Sequence, residues 1–137
     1  MSLTELQEFG KDISAGEYIK WIEKYPDNIT AIFMEYYNHN GITDEVVFNF
    51  LECGLDIDDY FEGYSLLETM ALDRNYAAMD ILLSYRALSS ERLVDLIISG
   101  HRGWDHTHKR NTMKCFKVLH KYCIRLVVSS YKFEIII

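Results

Sequence analysis

From residue 3 to about residue 122 the apolar side chains recur at the three- and four-residue steps of a helix, and the last fourteen residues break that rhythm. Thr4 to Lys11 is short and amphipathic, with Leu3, Leu6 and Phe9 three apart. Ser14, with Glu17 three residues on, has the form of a capping box. It opens a second helix covered by Tyr18, Ile19, Trp21, Ile22 and Tyr25, which Pro26 ends. A third helix runs from about Asn28 to Tyr37, and Asn38-His39-Asn40-Gly41 is a turn by composition. Thr43 caps a fourth, Asp44 to Cys53, whose stripe is Val46, Val47, Phe50 and Leu51 and whose left-handed terminator is Gly54.

After Gly54 the pattern becomes helix, short break, helix, long turn. Asp56 to Tyr64 reads as a tight acidic turn, Ser65 to Leu72 as a helix, Asp73-Arg74-Asn75 as the break and Tyr76 to Tyr85 as the partner helix. Such a pair cannot bury its apolar side alone and needs a neighbour on either face, which is the logic of a solenoid. Glu91 to Ile98 and Met113 to Tyr122 form a later pair, separated by the long stretch Ser99 to Arg110. Ile124 to Ile137 is β-branched and aromatic, and is expected as strand or extended chain covered by the fold or by a partner.

These residues carry a resemblance to the ankyrin repeat. Gly63-Tyr64-Ser65-Leu66-Leu67-Glu68-Thr69-Met70-Ala71 is similar to the family's G-x-T-P-L-H-x-A-A opening. Arg74 to Ala87 resembles G-H-x-E-I-V-x-L-L-L-x-x-G-A, and Val46 to Asp58 resembles the same stretch one unit earlier. The matched positions Gly54 and Arg86 lie 32 apart, near the family period of about 33. Leu66 and Glu68 depart from the proline and histidine of the signature, and Arg74 from the glycine of the inter-helix turn. The best match covers residues 42–87. The resemblance implies an all-α fold: a short ankyrin-like solenoid of about four helix pairs over residues 1–137. Its end units would be degenerate caps, and 124–137 an irregular or extended tail.

Composition narrows the function. Apolar residues make up 49% of the chain, with ten Tyr, seven Phe and two Trp, so a packed core is affordable and disorder is excluded. One proline and seven glycines favour helices over a many-turned β-sandwich. A net charge of −7 argues against nucleic acid, whose phosphates need a basic face, and suits a basic protein partner. Cys53, Cys115 and Cys123 lack C-x-x-C spacing and are expected as free thiols in a reducing compartment. No apolar run reaches the ~18 residues of a membrane span, and the N-terminus lacks a signal-peptide pattern, so a cytoplasmic location is expected.

Candidate chemistry is sparse. His101, His106 and His108 with Asp105 have zinc-ligand chemistry, but their spacing matches no zinc signature and no thiolate is near in sequence. Cys115 and His120 are five apart on a helix and point differently; Cys123 and His120 are three apart on a partly apolar helix. There is no phosphate-cradling glycine loop and no G-x-S-x-G elbow. No catalytic residue, metal or cofactor is therefore assigned. The acidic stretch Glu52 to Glu62 holds five carboxylates around Tyr60 and Phe61. In ankyrin-like units this turn projects as a finger beside the binding groove. The expected partner-binding residues are Asp56, Asp58, Asp59, Tyr60, Glu62 and Tyr64, with Trp104 as a second contact. The function they suggest is non-enzymatic binding of a basic protein, such as the toxin domain neutralised by an immunity protein. The alternatives are a viral or effector ankyrin protein that captures a host factor, and a metal-binding or enzymatic protein that uses the His101–His108 loop.

Overall fold

The computed structural model describes residues 1–99, 106–122, 126–128 and 133–135, with side chains over 1–99 and 109–122. The chain divides into two units, Met1–Phe61 and Glu62–Ile137, and helices dominate both.

The first unit holds α1 (Leu3–Ser14), α2 (Ile19–Lys24), a 3-10 turn (Pro26–Asn28), α3 (Ile29–Asn40), α4 (Asp44–Glu52) and the short strand β1 (Tyr60–Phe61). Ser2 caps α1 by accepting from Glu5 N–H, and Thr43 caps α4 by accepting from Val46 N–H. Helices α1 and α2 both lie on α3, as does β1. The core is aromatic. Phe50 is fully buried, stacked on Tyr18 with ring centroids 4.7 Å apart and set edge-on to Phe33 at 5.0 Å. The Tyr18 hydroxyl accepts from Asn49 Nδ2 at 2.9 Å, so the ring's polar tip is satisfied as its body is buried.

A polar clasp joins α1 to α2. Glu5, Glu8 and Asp12 share one face of α1, and each meets a group on or just beyond α2. The Lys24 ammonium lies 2.8 Å from the Glu5 carboxylate, which also accepts from the Tyr25 hydroxyl at 2.5 Å. Together these donors hold the Glu5 carboxyl down at about 2. Lys20 reaches Glu8 at 2.6 Å, and the Trp21 indole N–H donates to Asp12 at 2.9 Å, lowering the Asp12 pKa.

The second unit holds β2 (Tyr64–Ser65), α5 (Leu66–Leu72), α6 (Tyr76–Ser84), α7 (Leu93–Ser99), α8 (His106–Lys121), β3 (Leu126–Val128) and β4 (Phe133–Ile135). Its helices pack as two pairs in parallel layers: α5 on α6 and α7 on α8 within the pairs, α5 on α7 and α6 on α8 between them. The core is aliphatic, with Leu66, Leu67, Met70, Met79, Leu82, Leu93, Ile97 and Leu119 essentially closed to solvent. Strands β3 and β4 pair antiparallel, Leu126 opposite Ile135 and Val128 opposite Phe133, and β3 lies against α7 and α8. Within the expected extended tail, the described residues are thus a strand pair, with β3 against α7 and α8.

Helix ends repeat at a fixed interval. Gly41 and Arg74 lie 33 apart, after α3 and α5, and both have positive φ (71° and 53°). Gly54 and Arg86 lie 32 apart, after α4 and α6, again with positive φ (106° and 68°). Gly54 N–H donates to Leu51 O and Leu55 N–H to Phe50 O; Arg86 and Ala87 make the same two bonds to Leu83 and Leu82. Each is a Schellman ending, in which a left-handed residue lets two N–H groups satisfy the last helical carbonyls. Thr43 and Asn75, 32 apart, cap the following helices alike, each side chain accepting from the N–H three residues on.

Two expectations are corrected. Ser14 and Glu17 form no capping box: Ser14 is the last residue of α1, and α2 begins at Ile19 without a side-chain cap. Gly16, at φ 84°, ends α1 in a Schellman turn that takes up the intervening residues. Leu3 and Leu6 do not form a buried stripe, being 74% and 51% exposed, and the buried residue of α1 is Ile13. The functioning capping box lies instead at Ser65 and Glu68.

Candidate functional site

The acidic turn of the first unit is built by its own side chains. Asp56 Oδ1 accepts from Asp58 N–H at 2.9 Å, and Asp59 N–H donates to Asp56 O at 3.0 Å, closing a tight local turn. Leu55 is buried beneath it and anchors it to the unit. Asp59 differs from its neighbours. Its Oδ2 accepts from the Thr30 hydroxyl on α3 at 2.6 Å, and its Oδ1 from Tyr60 N–H at 2.8 Å. Both carboxylate oxygens are thereby committed to holding the turn on α3. Asp56 is exposed, Asp58 half-buried, and Tyr60 presents its ring at 61% exposure.

Glu62 and Gly63, at φ 54° and 88°, make a left-handed turn at the start of the second unit. Glu62 is exposed there. The half-buried Tyr64 ring lies under the Arg92 guanidinium, 4.9 Å from its centroid, in a cation–π contact that occupies one face of the ring. Of the six expected residues in this stretch, Asp56, Tyr60 and Glu62 are exposed, Asp58 is half-buried, and Asp59 and Tyr64 are engaged within their own units.

Trp104 and the residues 101–105 lie outside the described residues, and so does Cys123. His106 to Arg110 are not loop: they are the first turns of α8, which begins seven residues before the expected helix at Met113. Lys and Arg are good helix formers, so a polar run carries a helix without any apolar periodicity to announce it. Among the described residues no group of three His, Cys, Asp or Glu side chains is placed to hold a metal ion. Cys115 is buried in the second core, where desolvation pushes its thiol up to about 12 although the Arg74 charge pulls the other way. A thiol held that high carries almost no thiolate at neutral pH. Cys53 is exposed at the end of α4. Among the described residues no helix is long and apolar enough to cross a membrane.

Two residues that depart from the repeat signature prove to be connectors within the second unit. Glu68 is buried. One of its oxygens accepts from Ser65 N–H at 2.9 Å, completing the capping box, and the other accepts from the Ser90 hydroxyl at 2.8 Å, with Arg92 at 3.6 Å. Arg74 is also buried and donates to Ile97 O at 2.7 Å and Ile98 O at 3.1 Å, at the end of α7. A cation at a helix C-terminus satisfies open carbonyls and meets the negative end of the dipole. The sequence reading missed the cap at Ser65 and Glu68, although their S-x-x-E spacing carries its signal; the Arg74 link, across 23 residues, has no such local signal.

Charge divides as sharply as the core does. The first unit has thirteen carboxylates against three lysines, a net of −10, and the second eight against eleven Lys and Arg, a net of +3. Counting each half separately exposes what the total of −7 conceals. The chain matches no family model, and neither a characterised protein nor a solved structure matches it.

Proposed function

We propose that this chain is a non-enzymatic, ankyrin-like binding module that captures a basic protein on the acidic turn of its first unit. The single observation that carries the proposal is the construction of that turn. Asp59 and Leu55 hold it on the helices, while Asp56 and the 61% exposed Tyr60 ring are open to solvent and Asp58 is half-buried. A tyrosine amid fixed carboxylates offers contact area at low entropic cost, with a field that selects and steers a cationic surface. Glu62, exposed just beyond, adds to the same charge. The net of −10 over the first 61 residues supports a strongly basic partner.

The ankyrin-like reading draws on the 32- and 33-residue recurrence of helix ends and on the layered packing of α5 on α7 and α6 on α8. A small acidic module with one pre-organised charged finger suits the neutralisation of a basic toxin domain, the task of an immunity protein.

The test is calorimetric titration with the basic protein that co-purifies with the chain or is encoded beside it. Tyr60→Ala/Glu62→Lys should weaken binding at least tenfold while leaving the circular dichroism spectrum and melting midpoint unchanged. Equal affinity for the variant and the parent chain would reject the assignment. Asp56, Asp58 and Asp59 are left out of this variant because each takes part in interactions of the folded chain.

A further inference from the structure

Helix α8 carries five Lys and Arg and no acidic residue in sixteen positions. Arg110, Lys114, Lys117 and Lys121 follow at steps of four, three and four, which places them on one face; all four are exposed. At 1.5 Å rise per residue the row is about 16 Å long. Met113, 51% exposed, sits beside it. The opposite face (Thr112, Cys115, Phe116, Leu119) is buried in the second unit's core, so no apolar face is left to enter a bilayer. Lys109 and Arg110 also stand near the positive end of the helix dipole, with no acid in the first turn, where cations cost the helix stability. Lys114 leans on the Tyr76 hydroxyl at 3.3 Å and Lys121 on Asp80 at 3.0 Å, while Lys109, Arg110 and Lys117 form no ion pair among the described residues.

The same chain carries a counterpart. On α4, Glu45, Phe48 and Glu52 are exposed and share one face at steps of three and four. Phe48 is 49% exposed at the centre of that face. Each helix therefore presents a half-exposed apolar side chain among charges of one sign, and the signs are opposite.

We propose that the basic face of α8 docks on the acidic face of α4 in a second copy of this chain, Met113 and Phe48 supplying the apolar contact. The two surfaces differ, so each contact pairs α8 of one copy with α4 of another, and a single contact leaves one α4 face and one α8 face unused. A second contact of the same kind closes a reciprocal dimer or a ring, or extends an open chain of subunits. A phosphate polymer is the other polyanion a cationic row could meet, but it would approach a chain of 21 carboxylates against 14 Lys and Arg. The α4 and α8 residues of this proposal are not those of the turn proposed to capture a partner, so either assignment can fail without the other.

Sedimentation velocity on the purified chain tests this. In low salt the weight-average mass should rise with concentration above the 16.1 kDa monomer, and about 0.5 M NaCl should return it to the monomer value. Arg110→Glu/Lys117→Glu and, separately, Glu45→Gln/Phe48→Ser/Glu52→Gln should each abolish the association. An equimolar mixture of the two variants retains one intact pair of surfaces and should stop at a dimer. Lys117→Gln alone is a milder change and should lower the association in proportion. A wild-type chain that stays monomeric at every concentration in low salt overturns the proposal, as does a mixture that fails to dimerise. Retention of a plain oligonucleotide through Arg110 and Lys117 at physiological salt, without self-association, would overturn it in favour of a phosphate polymer.

Discussion

The two units solve the same problem, covering short helices, with opposite materials. The first packs rings: Tyr18, Phe33 and Phe50 stack and edge together, and Trp21 lies between Phe9 and Tyr25. The second packs Leu, Met, Ile and Ala, and locks its layers with two buried charged side chains, Glu68 and Arg74. The first is strongly acidic and the second mildly basic. Charge in the first unit lies on its surface, where it joins α1 to α2 and builds the acidic turn. In the second it is partly drawn inside, where it serves the fold.

The largest expected effect probes the aromatic core. Phe50→Ala removes a ring that meets Tyr18, Phe33 and Tyr36, and should cost about 4 kcal/mol in urea unfolding. The corresponding Leu82→Ala in the second unit should cost about 3 kcal/mol, the smaller side chain leaving a smaller cavity. Equal costs would mean that the aromatic core closes over its lost ring better than the aliphatic core closes over its lost leucine.

Next in size is the buried cation. Arg74→Gly relieves a left-handed backbone but deletes both bonds to the end of α7, and should destabilise by roughly 2 kcal/mol. Arg86→Gly relieves the same backbone strain at an exposed side chain and should stabilise by up to about 1 kcal/mol. Opposite signs at two equivalent helix ends are the expected result; two stabilising changes would show the Arg74 link to be idle.

The smallest effect concerns acid. Glu5 has a folded pKa near 2 against an unfolded value of 4.5, so its contribution is complete above about 4.5 and is lost as pH falls toward 2. Glu5→Gln should flatten the decline of the melting midpoint over that window and leave the midpoint's trend above pH 5 unchanged. The carboxylate is solvent-accessible, so added salt should shrink the difference.

Much of the fold was legible because helices α3 to α6 obey local rules. Thr43 and Gly54 stand where a cap and a terminator belong, and the apolar stripe of α4 is buried apart from the half-buried Leu51. What escaped was non-local or lacked an apolar signal. Leu3 and Leu6 have helical spacing, yet spacing says nothing about whether a neighbour arrives to cover them. The start of α8 hid in a run of His, Thr, Lys and Arg. Within the candidate site, the acidity and the exposed Tyr60 could be read directly. The structural duty of Asp59 could not, because its partner Thr30 is 29 residues away. Equally, a single net charge for the chain concealed the basic face of α8.

The acidic turn as a steering surface is tested most directly by stopped-flow association with the basic partner at rising ionic strength. The account predicts an association rate for the parent chain that falls steeply with salt, and a much flatter dependence for Asp58→Lys/Glu62→Lys. Identical salt slopes for the two proteins would contradict it.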